Sequence, residues 1–156
     1  MSYFTAVLAR DGRKWSAHDV DVEAVDDLGD LAAEMRVMVE DETAPVLLLV
    51  EREDSWWGVV RVDGEDDPRV FVSDAAGAAA SPFAAILEVV VDVALADDED
   101  AEIPPGTCAG DLDVLADLGT SPEQLREMCD EELLPMDALA AVAEGAGFAE
   151  VLDSLR

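Results

Sequence analysis

The sequence predicts an α+β protein. Its core is an antiparallel sheet of about five strands in the order β-β-α-β-β-β-α, with two helices packed on it, and a small all-helical segment follows. Three observations carry that reading. Apolar alternation with a period of two recurs through residues 3–73, punctuated by the turn signals Asp11-Gly12 and Asp63-Gly64. Two stretches, 26–41 and 81–96, switch to a helical period. Beyond an acidic, proline-containing block the pattern is helical throughout.

Residues 3–9 alternate aromatic, small and branched side chains, as a half-buried strand does. Asp11-Gly12 is a hairpin signal, and residues 15–20 form the return strand. In 26–41, Leu28, Leu31, Ala32, Met35 and Val39 share one helical face. Aspartates gather near its start, where the macrodipole favours them. Pro45 ends that element. The run Val46-Leu47-Leu48-Leu49-Val50 has no polar face, so it predicts a central strand covered on both sides. Residues 56–62 and 69–73 give two more strands. Ser81-Pro82 then sets an N-cap residue before proline at the first helical position. Glu88 and Asp92 lie on a narrow polar stripe, which leaves Phe83, Ile86, Leu87, Val90 and Val91 for burial.

Five acids fill six positions at 97–102, and Pro104-Pro105-Gly106 follows. That is the pattern of a solvated linker, and it divides the chain into a sheet domain (1–96), a linker (97–106) and a helical subdomain (107–156). In the last part Leu112, Leu115 and Leu118 form a short stripe ended by Gly119. Ser121-Pro122-Glu123-Gln124 starts a helix through a capping box and leads to Leu125, Met128 and Cys129. Pro135 breaks the chain, Leu139, Val142 and Ala143 resume it, and Gly145 and Gly147 stop it before Phe148, Val151, Leu152 and Leu155. About 50 residues are marginal as an independent fold, so this segment is expected to dock on the sheet, on a second copy or on a partner.

At 156 residues the chain is long enough for one compact domain, with or without an appendage. Its 38 acidic against 9 basic residues give a net charge of -29. Such a surface repels phosphate, which nearly excludes broad nucleic-acid binding and disfavours anionic membranes. The least polar stretch, 75–96, carries Glu88 and Asp92, and each mid-span acid costs ~2.5–3.5 kcal/mol in a bilayer. Two cysteines and no secretory pattern at the start lead to the expectation of a reduced, cytoplasmic setting.

No catalytic, cofactor-binding or metal-ligating set can be assigned. His18 is the only histidine and there is no CxxC, so zinc ligation and the zinc-deaminase signature both fail. One histidine gives little support for a nucleophilic triad, and no phosphate-binding glycine motif occurs. Cys129, at helical spacing from Leu125, reads as core, and Cys108, in a Gly/Pro loop, as exposed. The expectation is a protein that is not an enzyme and needs no cofactor.

Two features remain. Arg10, Arg13 and Lys14 concentrate positive charge in the first hairpin of an otherwise acidic chain. The pair Trp56-Trp57 must point to opposite sheet faces. With Trp56, Val60 and Val62 turned to the helices, Trp57, Val59 and Arg61 turn outward, in a combination typical of interface cores. The other reading has the C-terminal helices over that face. Arg10, Arg13, Lys14, Trp57, Val59 and Arg61 are the candidate interface.

The opening Tyr3-Phe4-Thr5-Ala6-Val7-Leu8-Ala9-Arg10 resembles that of an actinobacterial family. So do Val59-Val60-Arg61-Val62-Asp63-Gly64 and Asp67-Pro68-Arg69-Val70-Phe71-Val72-Ser73-Asp74, together with the stretch from Gly110-Asp111-Leu112 to Asp117-Leu118-Gly119. The family is the tRNA adenosine deaminase-associated proteins, and the resemblance spans nearly the whole chain. It implies association with a tRNA-editing deaminase and brings no site residues with it. The expected function is therefore a non-enzymatic acidic interaction protein whose partner is a basic protein, by resemblance the deaminase. The alternatives are a nucleic-acid mimic that blocks a basic enzyme, a homodimer joined through the Trp57 face, and an enzyme with a carboxylate-only site.

Overall fold

The structure is a computed structural model that describes residues 3–11, 14–18, 25–38, 44–52, 55–63, 68–79, 108–131 and 133–155. Among these residues six strands and five helices follow in chain order. They are β1 (Tyr3–Asp11), β2 (Lys14–His18), α1 (Leu28–Arg36), β3 (Pro45–Arg52), β4 (Trp56–Asp63), β5 (Arg69–Val72) and α2 (Ala75–Ala79). Then come β6 (Ala109–Gly110), a 3-10 turn (Ala116–Leu118), α3 (Pro122–Asp130), α4 (Pro135–Ala146) and α5 (Ala149–Ser154). The class is α+β, as the sequence predicts. The helix expected at 81–96 and the linker expected at 97–106 lie outside the described residues.

The strands form one sheet in the order β2-β1-β3-β4-β5-β6, antiparallel at every pairing. β2 and β3 both pair with β1 from opposite sides, so they run parallel to each other and cannot be joined by a tight turn. α1 fills that crossover. It starts where Asp27 caps the Asp30 N–H at 2.8 Å, and it buries Leu31, Ala32 and Met35. β3 and β4 are buried along almost their full length, which explains the unbroken apolar run 46–50.

Alternation then sorts the sheet's side chains into two cores. Val7, Val46, Leu48, Trp56, Val60 and Val62 face α1 and α2. Leu8, Leu47, Leu49, Trp57, Val59 and Phe71 face the opposite way, onto Leu115, Leu125, Leu139, Val142, Phe148 and Leu152 of the C-terminal segment. The sheet is thus the middle of three layers.

The C-terminal segment differs from expectation at its start. It is not wholly helical: Ala109 and Gly110 pair with Val72 and Phe71 as a sixth strand. Gly110 has φ +114, and a Cβ there would meet the Val70 carbonyl oxygen at 2.2 Å, so only glycine lets the chain come this close. The Leu112, Leu115, Leu118 stripe forms turns rather than an α-helix. Asp111 accepts from the Asp113 N–H at 2.8 Å and opens a turn, and Gly119 at φ +96 closes it. The capping box at Ser121 forms as predicted, with both reciprocal bonds present.

Candidate functional site

The six interface candidates separate into two groups. Trp57, Val59 and Arg61 do share one sheet face, as alternation requires, but that face is closed. They are 1%, 0% and 5% exposed. The chain's own C-terminal segment covers them, with helices over Trp57 and Val59 and the turn at 114–117 over Arg61, and the Trp57 ring lies 5.4 Å from that of Phe71. This corrects the expectation of an outward contact surface, and the homodimer drawn through Trp57 goes with it. Sequence spacing gives the face of a strand but not what lies over it.

Arg61 is a staple between layers. Its guanidinium donates to the Val114 carbonyl at 2.8 Å and to Asp117 Oδ2 at 2.8 Å, with the other Asp117 oxygen also engaged. Its Nε pairs with Asp63 at 2.9 Å. This fork-on-carboxylate geometry suits arginine and not lysine. The Asp117 hydrogen bond raises the Arg61 pKa, against the opposing effect of burial. In return, the Arg61 hydrogen bond holds the Asp117 carboxyl below its ordinary value. Arg69 repeats the device with Asp111 at 2.6 Å and lowers that carboxyl too. Both partners lie in 111–117, so the two arginines tie the start of the C-terminal segment to β4 and β5. The resembling stretches 59–64, 67–74 and 110–119 contain all six of these residues, though nothing in them says which would pair.

The first hairpin keeps its positive character. Lys14 is exposed on β2, and Arg10 sits over the Trp15 ring at 5.7 Å. Arg13 lies outside the described residues. Trp15 joins this edge to the C-terminal layer: its indole N–H donates to the Ala146 carbonyl at 3.1 Å, and its ring meets Phe148 edge-on at 5.0 Å. An open depression of about 510 Å³ lies here, where Lys14 and Trp15 face Glu144 and Glu150. Mixed charge and openness suit a contact surface better than an enclosed reaction chamber.

Among the described residues, those with catalytic potential include two close pairs. His18 and Ser16, two apart on β2, share a hydrogen bond of 3.0 Å, but Ser16 is exposed on the edge strand and the depression is lined by other residues. Among the described residues no group of three or more His, Cys, Asp or Glu side chains could hold a metal ion. Cys108 is half-buried and not exposed as the sequence suggested. It also lies beside Cys129: burial first, then the Cys108 thiol, pushes the Cys129 thiol up to about 12. Their separation of 21 positions gave no hint of this contact. Among the described residues no helix is long and apolar enough to cross a membrane.

The fold defines an α+β protein with both faces of its antiparallel sheet covered from within. Residues 3–149 match the Rv3753c-like tRNA adenosine deaminase-associated protein family. The chain belongs to that family. No curated protein and no solved structure matches it.

Proposed function

We propose that the protein is a non-enzymatic accessory that binds a basic protein partner, the tRNA adenosine deaminase with which its family is associated. One observation carries the proposal: a chain of this family has a net charge of -29. An enzyme that holds tRNA must present cations to phosphates, and an acidic protein complements that surface. With Trp57, Val59 and Arg61 covered, the contact is left to the exterior. There Arg10 and Lys14 of the first two strands give the acidic body a polarity that can orient docking.

The test is co-purification of the full chain with the deaminase at about 50 and about 150 mM salt. A complex that weakens with salt is expected, and no complex at either concentration refutes the proposal. The same charge supports a second reading, in which the protein occupies the deaminase's tRNA surface. Deamination would then be inhibited, and excess tRNA would relieve the inhibition.

A further inference from the structure

We propose that the corner between α3 and α4, where Leu133, Leu134 and Met136 project, is a docking site for a cationic amphipathic helix of a partner protein. The inference rests on the preceding reading, that the protein works by binding a basic partner, and assigns the surface that does so. Among the described residues the exposed large apolar side chains are Val37, Leu133, Leu134, Met136 and Leu155. Three of these five fall within four consecutive positions, at 36%, 49% and 56% exposure.

The corner is built and not frayed. The Leu133 N–H donates to the Met128 carbonyl at 3.2 Å, and the Leu134 carbonyl accepts from the Ala138 N–H at 3.0 Å. Pro135 between them is buried at the first helical position. Leu134 is the N-cap residue of α4, with extended backbone and no side-chain cap bond. Serine, threonine, aspartate or asparagine there would cap a helix N–H. An exposed leucine does nothing for the helix, and such a local conflict marks a position shaped by something other than stability.

The rim selects the occupant. Asp130, Glu131 and Asp137, next to the apolar cluster in sequence, are exposed, and the nearest exposed cation on α3 is Arg126, one helical turn before Asp130. An apolar centre with three acids against one arginine nearby in sequence complements a helix with leucine-like residues on one face and lysine or arginine beside them. A second copy of this chain would bring the same carboxylates face to face, and a nucleic acid would be repelled by them.

The test uses the full chain and a labelled 18-residue peptide with leucine on one helical face and lysine on the other, followed by fluorescence anisotropy. Leu134→Ser and Met136→Asp combined should weaken binding by about tenfold or more. Leu134→Ser alone should also weaken binding while raising the urea midpoint, because a serine hydroxyl can cap α4. A structural role would move both readouts in the same direction. Val37→Asp, at an exposed residue just after α1, should change affinity by less than about twofold. No peptide binding by wild type, or equal binding by the double variant, overturns the site. Co-purification with the deaminase separates the two levels. If wild type and double variant are retained equally, the corner is wrong and the accessory reading stands. If wild type is not retained, that reading fails and the peptide result alone decides the site.

Discussion

Replacing Arg61 with methionine tests whether the interlayer staple is held by a buried hydrogen bond or by surface charge. Three sets of partners are lost together. Asp117 and Asp63 have side chains 64% and 25% exposed, so both carboxylates regain water when the cation goes. The Val114 carbonyl does not, because its hydrogen bond to Arg61 is buried. An orphaned buried acceptor costs ~1–3 kcal/mol, and each partly exposed ion pair adds ~0.2–1 kcal/mol. Methionine keeps most of the apolar stem, so a cavity contributes little. The expected loss is about 2–4 kcal/mol. Asp117→Asn preserves shape and leaves Arg61 its other partners, so it should cost about 1 kcal/mol or less. Urea unfolding followed by tryptophan fluorescence reads both losses, since Trp57 lies under the same layer. The pH dependence has a definite sign. Asp117 is lowered in the folded state, so its contribution is complete above the unfolded carboxylate value of about 3.9 and is lost as pH falls through the lower folded value. Equal losses for the two variants at pH 7, or a loss below about 0.5 kcal/mol for Arg61→Met, would refute the reasoning.

Gly119→Ala should destabilise by about 2–4 kcal/mol in the same assay, since a Cβ at φ +96 would meet the Gly145 carbonyl oxygen at 2.3 Å. Gly145→Ala should cost much less, because its nearest neighbour, the Gly119 oxygen, is at 3.1 Å. Ser121→Ala removes the hydroxyl half of the capping box and should cost about 1 kcal/mol, with amide exchange in the first turn of α3 as a local readout. Cys129, pushed up to about 12, stays protonated through neutral pH. Alkylation at pH 8 should therefore be at least about tenfold slower in the folded chain than in urea. Its raised value also means that stability declines as pH rises above the unfolded thiol value of about 8.5.

Much of this architecture is legible in the sequence because it follows from short-range periodicity. The strand at 46–50, the helical face of Leu31, Ala32 and Met35, and the capping box at Ser121 each follow from residues within a few positions of one another. β6 escaped because two residues carry no period, and its pairing depends on a glycine fitting against Val70. The exposed corner escaped because Leu133, Leu134 and Met136 are individually ordinary, and only their accessibility sets them apart.

Taken alone, the sequence determined the class, the alternation that put Trp57, Val59 and Arg61 on one face, and the net charge of -29. Only the tertiary structure decided which faces stay open. Burial of the Trp57 face depends on Phe148 and Leu152 returning to it from far along the chain. Burial of Arg61 depends on an aspartate 56 positions away, and the cysteine contact likewise joins β6's approach to α3. Periodicity reports the direction of a side chain relative to its own backbone. Coverage is set by another part of the chain, and one sequence holds no local record of it.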